Sequence, residues 1–157
     1  MANRFRLSLV QLNPVVGDIA GNADKARAAW AVAKADGADM VAFTEMFLLG
    51  YQPQDLVMKP QVERDCASAI KALAEDCGDG PVIGIGAPWR DGDTLYNCYF
   101  ILANGSVSQR LLKHELPNET VFDEVRLYEP GPISGPYAIG PLRIGSPICE
   151  DAWHPDV

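Results

Sequence analysis

The stretch ADMVAFTE (residues 38–45) is an apolar run of strand length, too short for a helix. Before it stands NADKARAAWAVAKADG (residues 22–37), rich in helix formers, with Asn22 placed to cap the start and Gly37 just past the end. Before that, RFRLSLVQLN (residues 4–13) opens on alternating Phe5, Leu7 and Leu9 and becomes nearly continuous in apolar residues, as a half-buried to buried strand does. Strand, helix and strand in this order make a βαβ unit, whose crossover joins parallel neighbours. The sheet is therefore expected to be partly parallel, with Glu45 at the carboxyl end of its second strand.

Downstream, the pattern changes. FLLGYQPQDLVMKP (residues 47–60) is a loop punctuated by Gly50, Pro53 and Pro60. Pro60 then opens a second helix, in which Val62, Cys66, Ala69, Leu73 and Cys77 recur at intervals of three and four, and Gly78 ends it. GPVIGIGAPW (residues 80–89) reads as a third strand whose glycines point to close backbone packing. LYNCYFILANGSVSQRLLK (residues 95–113) is a hairpin turned at Asn104-Gly105, a pair suited to a type I′ turn. The segment from His114 to Pro136 is long and irregular, which in a compact domain marks an active-site loop more often than a linker. YAIGPLRIGSPIC (residues 137–149) reads as another hairpin, delivering Cys149 at its far end. Alternating βα units and hairpins make a mixed α/β sheet with helices packed on one face or both.

The chain of 157 residues carries 13 Lys and Arg against 21 Asp and Glu, with no basic run, which argues against nucleic acid and anionic membranes as partners. No apolar run nears the roughly 20 residues that cross a bilayer, and the amino terminus lacks a signal-peptide pattern, so a cytoplasmic location is expected. Four cysteines without a CxxC pair are expected to be reduced thiols, with Cys66, Cys77 and Cys98 as core residues. The sequence ends eight residues after Cys149 without a helix to cover the last strand, so residues 1–157 are expected to be part of a larger domain.

Functional groups gather at the carboxyl ends of strands in α/β sheets. Glu45, Lys113 and Cys149 each fall at such a place and make a chemically complete set for acyl transfer. Cys149 would be the nucleophile, Glu45 the general base, and Lys113 the cation that stabilises the anion formed on attack, with the backbone N–H of Glu150 as a second donor. The neighbouring Glu150 and Asp151 are expected to raise the thiol pKa, so that it keeps its proton at rest. The spacing is equally compatible with a structural cysteine, a capping or ion-paired glutamate and an edge-strand lysine. A metal site built from Cys149, His154 and His114 has weaker spacing, and none is expected. GIGAP (residues 84–88) lacks the third glycine and the Lys or Ser/Thr of a phosphate loop.

The phrases FTEMFLLGY, LLKHELPN, VFDE and GSPICEDAW together resemble the nitrilase, or carbon-nitrogen hydrolase, superfamily, in which a Glu, a Lys and a Cys occur in this order at strand ends. Within it, GYQPQDLVMKP, KHELPN with VFDE, and ICEDAW are most similar to the glutaminase domains of glutamine-dependent NAD synthetases. That resemblance implies a nitrilase-like αββα sandwich, here ending shortly after the cysteine, and hydrolysis of the glutamine side-chain amide through a cysteine thioester. It assigns Glu45 as base, Lys113 as oxyanion-stabilising lysine and Cys149 as nucleophile. Glu124 matches the second glutamate near the lysine, and Tyr51 a tyrosine of the glutamine pocket. Where the resemblance implies a second pocket tyrosine, this chain has Glu119-Thr120, which places Glu119 among the expected substrate-binding residues.

The implied partners are glutamine, a further copy of the chain in a homo-oligomer, and a synthetase domain beyond this sequence. The glutaminase step implies no cofactor; ATP and magnesium belong to the synthetase domain. Two other readings remain: a stand-alone amidase or nitrilase acting on another small amide, and a non-catalytic module that oligomerises through its sheet.

Overall fold

The computed structural model describes residues 4–157. Its first elements are β1 (Leu7–Leu9), α1 (Ile19–Ala35) and β2 (Met40–Ala42), and β1 and β2 pair in parallel, as the βαβ reading requires. A 3-10 turn (Gln54–Met58) leads into α2 (Pro60–Asp76), with proline in the first helical turn, where its missing N–H costs nothing. β3 (Val82–Asp91) pairs in parallel with β2 and antiparallel with β4 (Thr94–Ala103), which returns as β5 (Ser106–Leu112). The result is one mixed sheet in the order β1-β2-β3-β4-β5. Asn104 and Gly105, both at positive φ, turn the β4–β5 hairpin as their sequence predicts.

Both helices lie on one face of this sheet. Ala26, Trp30 and Ala33 of α1 and Cys66, Ile70 and Leu73 of α2 share a core with Val41, Ile83, Ile85 and Phe100. The opposite face carries Met40, Ile101 and Leu111, against which Tyr137 packs from a short hairpin of β6 (Tyr137–Ile139) and β7 (Leu142–Ile144). This two-stranded piece is the second sheet layer, so the α/β expectation is met with layers of helix, sheet and strand.

Three expectations change in detail. Asp18, not Asn22, caps α1 by accepting from the Gly21 N–H at 3.0 Å. Asn22 is fully buried instead, accepting from Val15 N–H and donating to Leu48 O, which ties the β1–α1 loop to the segment after Glu45. β1 is an edge strand of three residues, and its Leu7 and Leu9 are exposed where a half-buried to buried strand was expected. The last strand ends at Ile144, and Cys149 opens a separate 3-10 helix (Cys149–Trp153).

One glycine decides where the second strand can lead. The chain after β2 folds down along β3, with Phe43 N–H bonded to Gly84 O and Leu48 N–H to Gly86 O. A side chain at Gly86 would stand 2.8 Å from Glu45 Cα, so only glycine lets this turn lie flat.

Candidate active site

Lys113 is the first residue after β5, and its backbone is fixed on both sides: its N–H donates to Asn97 O at 2.9 Å and its carbonyl accepts from Gly131 N–H at 2.8 Å. The side chain runs inward with 0% exposure. Its Nζ donates to Glu45 Oε1 at 2.8 Å and to Glu124 Oε1 at 2.9 Å. A buried ammonium is tolerable only when paired in this way. Burial, the largest influence, disfavours the charged lysine, but the charges and hydrogen bonds of Glu45 and Glu124 outweigh it and hold Lys113 above the ordinary lysine value.

Two carboxylates around one lysine leave an excess of negative charge. Glu124 bears the consequence: burial pushes its carboxyl above the usual range, against the pull of Lys113. Its Oε2 is buried without a partner among the described residues, and so is Asn97 Oδ1. Sequence does not single out Asn97, which reads there as one polar residue in a hairpin strand. It is 2% exposed and its Nδ2 donates to Glu45 Oε1 at 2.7 Å. The only sequence signal is its position, a polar residue amid the apolar run of β4.

Cys149 is the one exposed cysteine; Cys66, Cys77 and Cys98 are buried, as expected. It adopts φ +50, the left-handed region that non-glycine residues rarely occupy. Partial burial raises its thiol above the ordinary value, the Glu45 carboxylate adds to the rise, and Lys113 opposes it. The charges that act on the thiol thus come from strand ends remote in sequence. Of the two adjacent acids, Asp151 is buried among backbone N–H groups, and Glu150 turns outward to within 3.4 Å of His154. The rise expected from sequence is present, with a different cause. The Glu150 N–H, in the first turn of the 3-10 helix, has no backbone acceptor among the described residues.

Two cavities flank the cluster. One of about 340 Å³ is lined by Glu45 and Cys149 together with Phe43, Tyr99 and Ile148. The other, of about 230 Å³, is lined by Tyr51, Asn97, Glu124 and Tyr128 among others. Tyr51 therefore borders the site, whereas Glu119 is exposed and stands outside the residues lining either cavity. Val121 and Asp123 from the same loop line the second cavity in its place. The histidines are engaged elsewhere, His114 Nδ1 with Gly131 O at 2.7 Å and His154 near Glu115 and Glu150. Among the described residues no group of three or more His, Cys, Asp or Glu is arranged to hold a metal ion, and no helix is long and apolar enough to cross a membrane.

This arrangement can carry out nucleophilic acyl chemistry: an exposed thiol, a carboxylate beside it, and a buried cation with a donor left for a developing oxyanion. The profile of the carbon-nitrogen hydrolase family matches residues 6–157. The glutamine-dependent NAD(+) synthetase of Rhodobacter capsulatus is 55% identical over 157 residues, which is 100% of this chain and 28% of that protein. That of Thermotoga maritima is 37% identical over 97% of this chain and 26% of its own length. The structure of the Acinetobacter baumannii enzyme in complex with ADP superposes with a TM-score of 0.90 at 31% identity, covering 95% of this chain and 28% of that one. An amidase from Nesterenkonia sp. AN1 shares the fold, with a TM-score of 0.72 at 20% identity over 89% of this chain and 55% of its own. The chain thus spans about 28% of the length of the synthetases it matches.

Proposed function

The chain belongs to the carbon-nitrogen hydrolase family, and from that premise we propose that it is the catalytic portion of a glutaminase that releases ammonia from the side-chain amide of glutamine. The observation that carries this reading is the buried bridge from Lys113 Nζ to Glu45 Oε1 and Glu124 Oε1, beside the exposed thiol of Cys149.

Cys149 attacks the carboxamide carbon as its proton passes to Glu45. Oε1 of Glu45 already takes hydrogen bonds from Lys113 and Asn97, so Oε2 is the oxygen available for that proton. The oxyanion of the tetrahedral intermediate is held by Lys113 and the Glu150 N–H. Collapse expels ammonia, which takes its proton from Glu45 and leaves a γ-glutamyl thioester. Glu45 then activates a water that hydrolyses the thioester, and the thiol is restored. The raised thiol pKa fits this sequence: the thiol rests protonated and loses its proton only as it attacks.

Tyr51 and Glu124 line the cavity next to the one that Glu45 and Cys149 line, and the substrate would reach the thiol where the two meet the cluster. In the full-length protein, a cytoplasmic homo-oligomer, the ammonia would feed an ATP- and magnesium-dependent synthetase domain that completes NAD. The similarity to NAD synthetases supports this pairing.

Intact-mass labelling with an electrophilic glutamine analogue tests the reading. One adduct is expected on the chain, none on Cys149→Ala, and slower labelling on Glu45→Gln. Labelling that persists in Cys149→Ala, or an unreactive Cys149 in both this chain and one extended past Val157, overturns it.

A further inference from the structure

Asp151 follows the nucleophile closely in sequence, yet its carboxylate joins the two segments that bring Cys149 and Lys113 together. It is 4% exposed. Oδ1 accepts from His114 N–H at 3.1 Å and from Glu115 N–H at 2.8 Å, and Oδ2 accepts from Ile148 N–H at 3.1 Å. The first two donors directly follow Lys113, and the third directly precedes Cys149. None of the three lies in a strand or helix, since β5 ends at Leu112 and the 3-10 helix begins at Cys149. They would be orphaned donors without this acceptor, and charge-assisted bonds of this type are the stronger kind.

The turn around the nucleophile is closed from both sides by the same residue. Ile148 N–H donates to Asp151 Oδ2, and Asp151 N–H donates back to Ile148 O at 3.1 Å. Cys149, at φ +50, lies inside this closed turn. A residue held in a sparsely populated conformation persists only where its surroundings over-determine it. Here the reciprocal pair fixes the turn, and the two bonds to His114 and Glu115 fix the turn to the end of β5.

We propose that Asp151 is a positioning residue, whose carboxylate pins the nucleophile turn to the Lys113 segment and so sets where the Cys149 thiol stands relative to Lys113 and Glu45. The inference rests on the proposed roles of those three residues, but its test needs no turnover. Cys149 is the one exposed thiol, so alkylation by iodoacetamide reports on it directly.

The experiment measures the pH midpoint of Cys149 alkylation in the whole chain, below its unfolding transition, for wild type, Asp151→Asn and Asp151→Glu. Asparagine keeps the shape and faces an NH₂ group toward one of the three donors; glutamate keeps the charge and changes the length. If Asp151 positions the turn, both variants release the thiol from Glu45 and from burial, and both midpoints fall by about half a pH unit or more toward the free-thiol value. A fall in Asp151→Asn alone would mean that only the charge matters and overturns the proposal. Unchanged midpoints in both, with a lower Tm, would make Asp151 a residue of fold stability alone and also overturn it. Hydrogen exchange on the unaltered chain gives a reading that no variant can spoil: the amides of His114, Glu115 and Ile148 are expected to be protected together, and exchange at open-loop rates overturns the proposal. Midpoint shifts together with a Cys149 that the glutamine analogue fails to label, both in this chain and in one extended past Val157, would refute the proposed function and leave Asp151 in its role.

Discussion

Lys113 Nζ stands 2.8 Å from Glu45 Oε1 across 68 residues of sequence, on a lysine with no exposed surface. This pair, with Glu124 on its other side, is the electrostatic centre of the molecule: it joins the turn after β2 to the end of β5 and sets the charge that the Cys149 thiol meets.

Replacing Lys113 by Met is expected to leave the buried Glu124 and the partly buried Glu45 without their cation. Losing one partner of a buried pair costs about 3–5 kcal/mol. Urea unfolding at neutral pH should show a loss of that order, and the loss should shrink as the pH is lowered and the carboxylates take up protons.

Glu124 gives the opposite sign from an ordinary salt-bridged acid. Its folded-state pKa is raised by burial, so the native state binds the proton more tightly than the unfolded chain does. Stability therefore falls as pH rises from the ordinary carboxylate value through the raised one. Glu124→Gln should abolish that fall, so that the variant gains on wild type across this window in Tm measured against pH, while glutamine hydrolysis slows.

Alkylation of Cys149 by iodoacetamide should rise with a midpoint above that of a free thiol, because burial and then Glu45 raise it. Glu45→Gln removes the larger of the opposing and assisting charges, and its midpoint is expected to fall. The same substitution should slow glutamine turnover by about a hundredfold or more, the contribution of a positioned acid–base group. Higher chemical reactivity with lower turnover would separate the thiol's acidity from the base's role.

Asn97→Leu removes a buried oxygen that has no partner among the described residues and also a hydrogen bond to Glu45. Each effect is on the order of 1–3 kcal/mol and they oppose one another in stability. The expected result is a Tm close to wild type and a kcat reduced about tenfold or more with KM little changed, checked by calorimetry and by an ammonia-release assay.

Gly86→Ala should damage the site from outside it. The added methyl group would press on the turn at Glu45, and overpacking of this kind costs about 1–3 kcal/mol. Denaturant melts should show that loss, together with reduced labelling of Cys149 by the glutamine analogue.

Most of the elements could be read from the amino-acid order alone, which also singled out a candidate reactive set. The βαβ start, the second helix behind Pro60 and the hairpin at Asn104-Gly105 could be read because periodicity, proline and glycine act locally. Glu45, Lys113 and Cys149 stood out because expected strand ends and a family resemblance coincide there, although Cys149 stands in a 3-10 helix beyond the last strand. Glu119 was legible only as a departure from that resemblance, and the fold leaves it exposed.

What tertiary structure alone decided is which charge meets which. Asn97 could not be told from a polar strand residue until the sheet placed its amide on Glu45. The acids beside Cys149 in sequence look like the source of its raised pKa, yet one is bonded to the backbone of a distant segment and the other points outward. The physical reason is range: hydrogen bonds and desolvation act over a few ångströms in space, and adjacency along a turning backbone does not say which side chains share that space.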